Sequence, residues 1–137
     1  IALKPKSLKI LYVDDSADLH ILTRAMLLEI AQTITIKSNG ITGLQAFKDF
    51  EFDIVLLDMR MPDMDGYDTV VAMRKWEHDK GLAPKPIIAL SGSTTQDEVE
   101  KSLASGCTSF VSKPYRKEEL VYEIGQALFK HGQLHKK

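Results

Sequence analysis

The sequence is short of cysteine, of long apolar runs and of net charge, and each shortage excludes something. A single cysteine, Cys107, has no partner for an internal disulfide, which suits a reducing, cytoplasmic setting. No apolar run approaches the roughly 20 residues that cross a bilayer, so no membrane span is expected. The residues from Ile1 to Lys6 lack the apolar stretch of a secretory signal. With 18 Lys and Arg against 19 Asp and Glu, the net charge is -1, which argues against a broad electrostatic grip on nucleic acid or anionic lipid. No His–Cys cluster points to zinc. Repeats and low-complexity runs are also absent. The 137 residues, 44% hydrophobic and 27% charged, suffice for one buried core.

The apolar residues are arranged as short runs alternating with amphipathic stretches. Leu8–Val13 reads as a buried strand ending at Asp14 and Asp15. Leu19, Leu22, Met26 and Ile30 recur at helical spacing and predict the inner stripe of a first helix. Thr33–Lys37 alternates at period two, as a half-exposed edge strand does. Asn39-Gly40 reads as a break before a short helix marked by Leu44 and Phe47. Asp53–Asp58 is the clearest central strand. Val70 and Met73 carry a third helix, and a loop is expected over Trp76–Pro84, with breakers from Lys80 to Pro86. Pro86–Ser91 is a fourth strand, with proline tolerable at its start. Thr95 and Glu98 fit a capping box for a fourth helix with Val99 and Leu103 inside and Gly106 at its C-cap. Ser109–Ser112 is a fifth strand, and Leu120, Ile124 and Leu128 mark the last helix. The domain is expected to span residues 8–130, with tails at 1–7 and 131–137.

Strict strand–helix alternation predicts an α/β fold, a parallel sheet with helices on both faces. In such sheets chemistry gathers beyond the carboxyl ends of the strands. Those ends carry Asp14 and Asp15, then Asp58, then Ser91, and finally Lys113 before Pro114. Carboxylates crowded together repel and raise one another's pKa. A hard divalent cation relieves the conflict, and an all-oxygen set favours Mg²⁺ or Mn²⁺. An aspartate beside such an ion, with an ammonium and a hydroxyl near, suits nucleophilic phosphoryl transfer.

The segments Val13-Asp14-Asp15, Leu57–Gly66, Ala89–Gly92 and Val111–Pro114 resemble, in order and spacing, the receiver domains of two-component response regulators. The resemblance runs from about Leu8 to about Phe129. It implies a doubly wound, flavodoxin-like (βα)5 fold with strand order 2-1-3-4-5. Asp58 would be the phosphoacceptor, phosphorylated from a histidine kinase or histidine phosphotransfer domain in a reaction the domain itself catalyses. Asp15 would ligate Mg²⁺ directly, Asp14 through water, and Arg60 through its backbone carbonyl. Lys113 would pair with Asp58 and then with the phosphoryl group, followed by a cis bond to Pro114. Ser91 and Phe110 would be the hydroxyl and aromatic switch positions. The face made by the fourth helix, fifth strand and fifth helix would be the responding surface and a possible homodimer contact.

The sequence departs from the commonest family pattern in ways that carry expectations. Ser91 replaces the commoner threonine and keeps the hydroxyl. Phe110 lacks the hydroxyl of the tyrosine often found there. Arg60 places a long cation beside Asp58, where it would hinder or orient water and set phosphate lifetime. The loop after the third helix resembles receivers fused to hybrid sensor histidine kinases, and with the missing initiator methionine it favours a fragment of such a kinase. The alternative is a phosphorylation-independent interaction module on the same fold. A dehalogenase-like phosphatase fits poorly, because Arg60 stands where a second aspartate belongs. His20, His78, His131 and His135 are expected to be solvated, as is the basic tail from Lys130 to Lys137. Cys107 is expected to pack as a small residue.

Overall fold

A computed structural model describes residues 3–93 and 95–130. The elements are β1 (Leu8–Val13), α1 (Ala17–Leu27), β2 (Ala31–Lys37), α2 (Gly40–Asp49), β3 (Ile54–Asp58), α3 (Gly66–Asp79), β4 (Ile87–Ser91), α4 (Gln96–Ser105), β5 (Ser109–Ser112) and α5 (Lys117–Lys130). The strands form one parallel sheet in the order β2-β1-β3-β4-β5, as the resemblance implies. His131, His135 and the tail beyond Lys130 lie outside the described residues.

Alternation along the strands builds two cores. Leu8, Ile10 and Tyr12 face Leu27, Ile30, Leu120, Ile124 and Leu128, on the side of α1 and α5. Leu11 and Val13 face Phe47, Val70 and Met73, on the side of α2 and α3. Burial on both faces explains the near-continuous apolar runs of β1, β3 and β4.

Side chains start four of the helices: Ser16, Asn39, Asp65 and Thr95 accept from the amides of Leu19, Thr42, Asp68 and Glu98. Asn39 is therefore a cap, and Gly40 already belongs to α2.

Several expected positions move. Leu22 is 56% exposed and Leu103 46% exposed. Their inward places are taken by Thr23 and Ser102, both fully buried. Each polar residue has an internal partner: Thr23 meets the Tyr115 hydroxyl at 2.7 Å, and Ser102 donates to the Glu98 carbonyl at 3.0 Å. A satisfied hydroxyl tolerates burial, so apolar spacing alone misjudges the rotation of these helices. The expected loop from Trp76 is also shorter, because Trp76–Asp79 forms the last turn of α3. That turn is held by the edge-on contact of Trp76 with Phe47, centroids 5.7 Å apart. Buried Glu77 adds bonds to Arg74 Nη1 at 2.7 Å and the Lys85 amide at 2.8 Å. The capping box at α4 is half made: Thr95 caps, but the Glu98 carboxylate turns to Arg60 and Tyr67.

One glycine fixes where α3 begins. A Cβ on Gly66 would lie 2.5 Å from Met59 Cα and 2.6 Å from the Asp58 carbonyl oxygen. Both are backbone atoms directly behind the strand end that carries Asp58. Gly66→Ala is expected to lower unfolding free energy by about 1–3 kcal/mol through overpacking, read by urea denaturation. An unchanged midpoint would show that α3 moves aside freely.

Candidate functional site

The register of β1 with β3 sets the centre of the site. Val13 stands opposite Leu57, so Asp14 and Asp58 leave adjacent strands side by side. Asp15 follows in the loop. Each of Asp14, Asp15 and Asp58 offers a carboxylate oxygen, and these oxygens lie within 4.8 Å of one another. Asp14 and Asp58 are buried, whereas Asp15 is exposed.

Lys113 arrives from the end of β5 through a cis bond to Pro114. Its backbone amide donates to the Ser91 carbonyl at 2.8 Å, which ties the ends of β4 and β5. Its Nζ lies 3.1 Å from Asp14 Oδ2 and 3.2 Å from Asp58 Oδ1. The Arg60 amide donates to Asp58 Oδ1 at 3.1 Å. Asp14 is held further by the Ser16 amide at 2.9 Å and the Tyr12 hydroxyl at 3.0 Å.

The other expected residues stand around this centre. Ser91 is fully buried at the end of β4, and its Oγ accepts from the Ser93 amide at 3.1 Å. The hydroxyl hydrogen remains available for donation. Phe110 is half-buried against the α2/α3-side core rather than part of the polar group. The Arg60 guanidinium pairs with Glu98 Oε1 of α4 at 3.2 Å while its side chain stays 67% exposed. Glu98 also accepts from the Tyr67 hydroxyl, and Lys101 Nζ sits 4.1 Å from the Tyr67 ring centroid. These groups, with Met59, Met61, Pro62 and Asp65, line an open cleft of about 400 Å³.

His20 is not solvated as expected. It is half-buried, meets the Asp14 carbonyl through Nε2, and stands edge-on to Tyr12 with centroids 5.8 Å apart. His78 does face solvent. Cys107 is buried, which pushes its thiol up to about 12. Tyr12, Thr23 and Tyr67 were not singled out from the sequence, and Glu98 was expected only as half of a capping box. Tyr12 alone left a signal: a tyrosine in an aliphatic strand needs a partner for its hydroxyl, and Asp14 is two residues on.

Three carboxylates against one ammonium leave the site two negative charges in excess. Burial pushes the Asp58 carboxyl from 3.8 up to about 6; the Arg60 amide opposes this, Asp14 adds to it, and Lys113 only partly offsets it. Burial also works against the Lys113 ammonium, yet Asp58 and Asp14 together hold its pKa above the usual value. Burial keeps the Tyr12 phenol protonated well beyond the ordinary range. The uncompensated carboxylates fit a hard divalent cation, and their oxygens favour magnesium or manganese over softer metals.

A family model for the response regulator receiver domain matches residues 10–125. The sensor histidine kinase GacS of Pseudomonas protegens is 30% identical over 122 residues, covering 89% of this chain and 13% of that protein. The chain thus spans a small part of the length of such relatives. The chemotaxis protein CheY4 of Vibrio cholerae superposes with a TM-score of 0.80 at 26% identity, over 93% of this chain and 100% of that one. The receiver domain of the sensor histidine kinase PA1611 from Pseudomonas aeruginosa, described with a magnesium ion coordinated in its active-site cleft, has a TM-score of 0.76. It is 26% identical, over 90% of this chain and 98% of that one. No helix among the described residues is long and apolar enough to cross a membrane.

The raised pKa of Asp58 has a measurable consequence in metal-free protein. Between pH 4 and 6 the folded chain keeps a proton that the unfolded chain has released. Stability from this group is therefore present below about pH 4 and falls as pH rises towards 6. In EDTA, Asp58→Asn is expected to be more stable than the parent by about 1–2 kcal/mol at pH 7.5, the shift discounted for the open cleft. That advantage should vanish near pH 4. An advantage that stays constant across this range would show that Asp58 is not destabilised by its ionised form.

Proposed function

Since the chain belongs to the response regulator receiver domain family and is a receiver of two-component phosphorelay, we propose that Asp58 is its phosphoacceptor. The observation that carries this reading is a buried carboxylate at the end of a central strand, shared by Lys113 and flanked by Asp14 and Asp15. The donor is a phosphohistidine on a histidine kinase or histidine phosphotransfer domain. An Asp58 carboxylate oxygen attacks phosphorus, the N–P bond breaks, and the imidazole leaves with that electron pair.

Asp14, Asp15, Asp58 and the Arg60 carbonyl hold Mg²⁺ in this reading. When bound, the ion supplies the positive charge that lets anionic nucleophile and anionic phosphoryl group meet. Lys113 moves from Asp58 to a phosphoryl oxygen, as a compact point charge suits. Ser91 donates its free hydroxyl hydrogen to another. Phe110 follows, altering the α4–β5–α5 face, where Leu103 and Tyr122 are already exposed. A partner or a second copy of the chain would read that face. A phosphorylation-independent module on the same fold has no need of a buried acidic group with a shared lysine.

Incubation with acetyl phosphate and Mg²⁺, followed by intact-mass measurement, is expected to show one phosphoryl adduct. Asp58→Asn should abolish it. A folded protein that takes no adduct from any donor would overturn the proposal.

Arg60 borders the phosphoryl position and is restrained by Glu98. Arg60→Ala is expected to change the rate of adduct loss by about two- to fivefold, the factor a surface ion pair sustains. Equal decay in both proteins would leave the arginine with no part in phosphate lifetime.

A further inference from the structure

Close to the acidic group on β1 lies a buried hydroxyl that the phosphoryl chemistry does not call on. Tyr12 is fully buried in β1. Residues two apart on a strand share a face, so Tyr12 and Asp14 emerge on the same side. The Tyr12 hydroxyl donates to Asp14 Oδ2 at 3.0 Å, the oxygen that also accepts from Lys113 at 3.1 Å. The Ser16 amide occupies Oδ1 at 2.9 Å. Donors from three segments thus hold a carboxylate with no exposed surface.

Thr23 of α1 and Tyr115 of the β5–α5 loop share a hydrogen bond of 2.7 Å, both residues being buried. Tyr115 belongs with Tyr12 to the α1/α5-side core. The aromatic body of Tyr12 is fixed by the α1/α5-side core and by the edge of His20. Nothing in the phosphoryl chemistry uses these groups directly.

We infer that Tyr12 is a positioning residue for the cation site, aiming Asp14 through its hydroxyl from a ring that the α1/α5-side core holds in place. This rests on Asp14, Asp15 and Asp58 being a divalent-cation site. A carboxylate whose Oδ2 already serves two donors has little freedom to rotate, so its remaining lone pairs keep one direction. Without the phenol hydrogen, Oδ2 is left to Lys113 alone, which Asp58 also claims. Partners that orient metal-ligating groups affect metal affinity nearly as strongly as the ligands do.

Tyr12→Phe removes one oxygen and keeps the ring. The full chain and this variant are titrated with MgCl2 by calorimetry and melted in EDTA. The variant is expected to bind Mg²⁺ about tenfold more weakly, the effect typical of an outer-shell partner. Equal or tighter binding, whatever the change in melting temperature, overturns the inference and leaves the metal site standing. Absence of Mg²⁺ binding in the parent protein overturns both. Should Tyr12→Phe fail to fold, Tyr12→Leu, which also lacks the hydroxyl and suits an apolar core, decides by the same titration: weaker Mg²⁺ binding supports the inference, and unchanged binding overturns it.

Discussion

One ammonium group serves two buried carboxylates, and the carboxyl end of the sheet is arranged around it. Lys113 reaches Asp14 and Asp58 at nearly equal distances, from a strand two places away from β3. Removing the lysine from such a buried set leaves both carboxylates uncompensated, at a cost of about 3–5 kcal/mol. The site is therefore poised rather than relaxed. It has one cation too few for its carboxylates, and that deficit makes it receptive to a divalent ion. The lysine also belongs to neither carboxylate alone, so it is free to follow a new anion.

The rest of the upper surface divides into an apolar side and a polar side. Towards α1, Asp14 is anchored by Tyr12, Ser16 and Lys113 against a dense core. Towards α4, contacts are polar and partly exposed: Arg60 and Tyr67 grip Glu98, and Ser102 is the fully buried residue of the helix. Leu103 points outward. The two helices thus differ in the chemistry of the contacts they make nearest the site: apolar and buried at α1, polar and partly exposed at α4.

How much of this was legible in the sequence follows from what fixes each residue. The placement of Asp14, Asp58, Ser91 and Lys113 at strand ends was readable because strand ends are marked by apolar runs stopping. The inward stripe of α5 was readable because Leu120, Ile124 and Leu128 had no polar competitor. The rotation of α1 and α4 was not: Thr23 is satisfied by Tyr115, 92 positions away, and Ser102 by the carbonyl of Glu98 one turn back, a bond open to any helical serine whether buried or exposed. Glu98 looked like one half of a capping box, and its true engagement with Arg60 spans 38 positions. Periodicity reports which side chains are apolar; it is silent on which polar ones find company inside.

The strand order also sets how much chain the site needs. β1 pairs with β2 on one side and β3 on the other, which brings Asp14, Asp15 and Asp58 together from the first 58 residues. The ammonium that balances them follows the last strand, 55 positions further on. The α5 residues that cover one face of β1 come later still. A domain folds as a unit. Truncation anywhere before Lys113 therefore removes the balancing charge along with part of the core, and no shorter piece of the chain carries the acidic group in its balanced form.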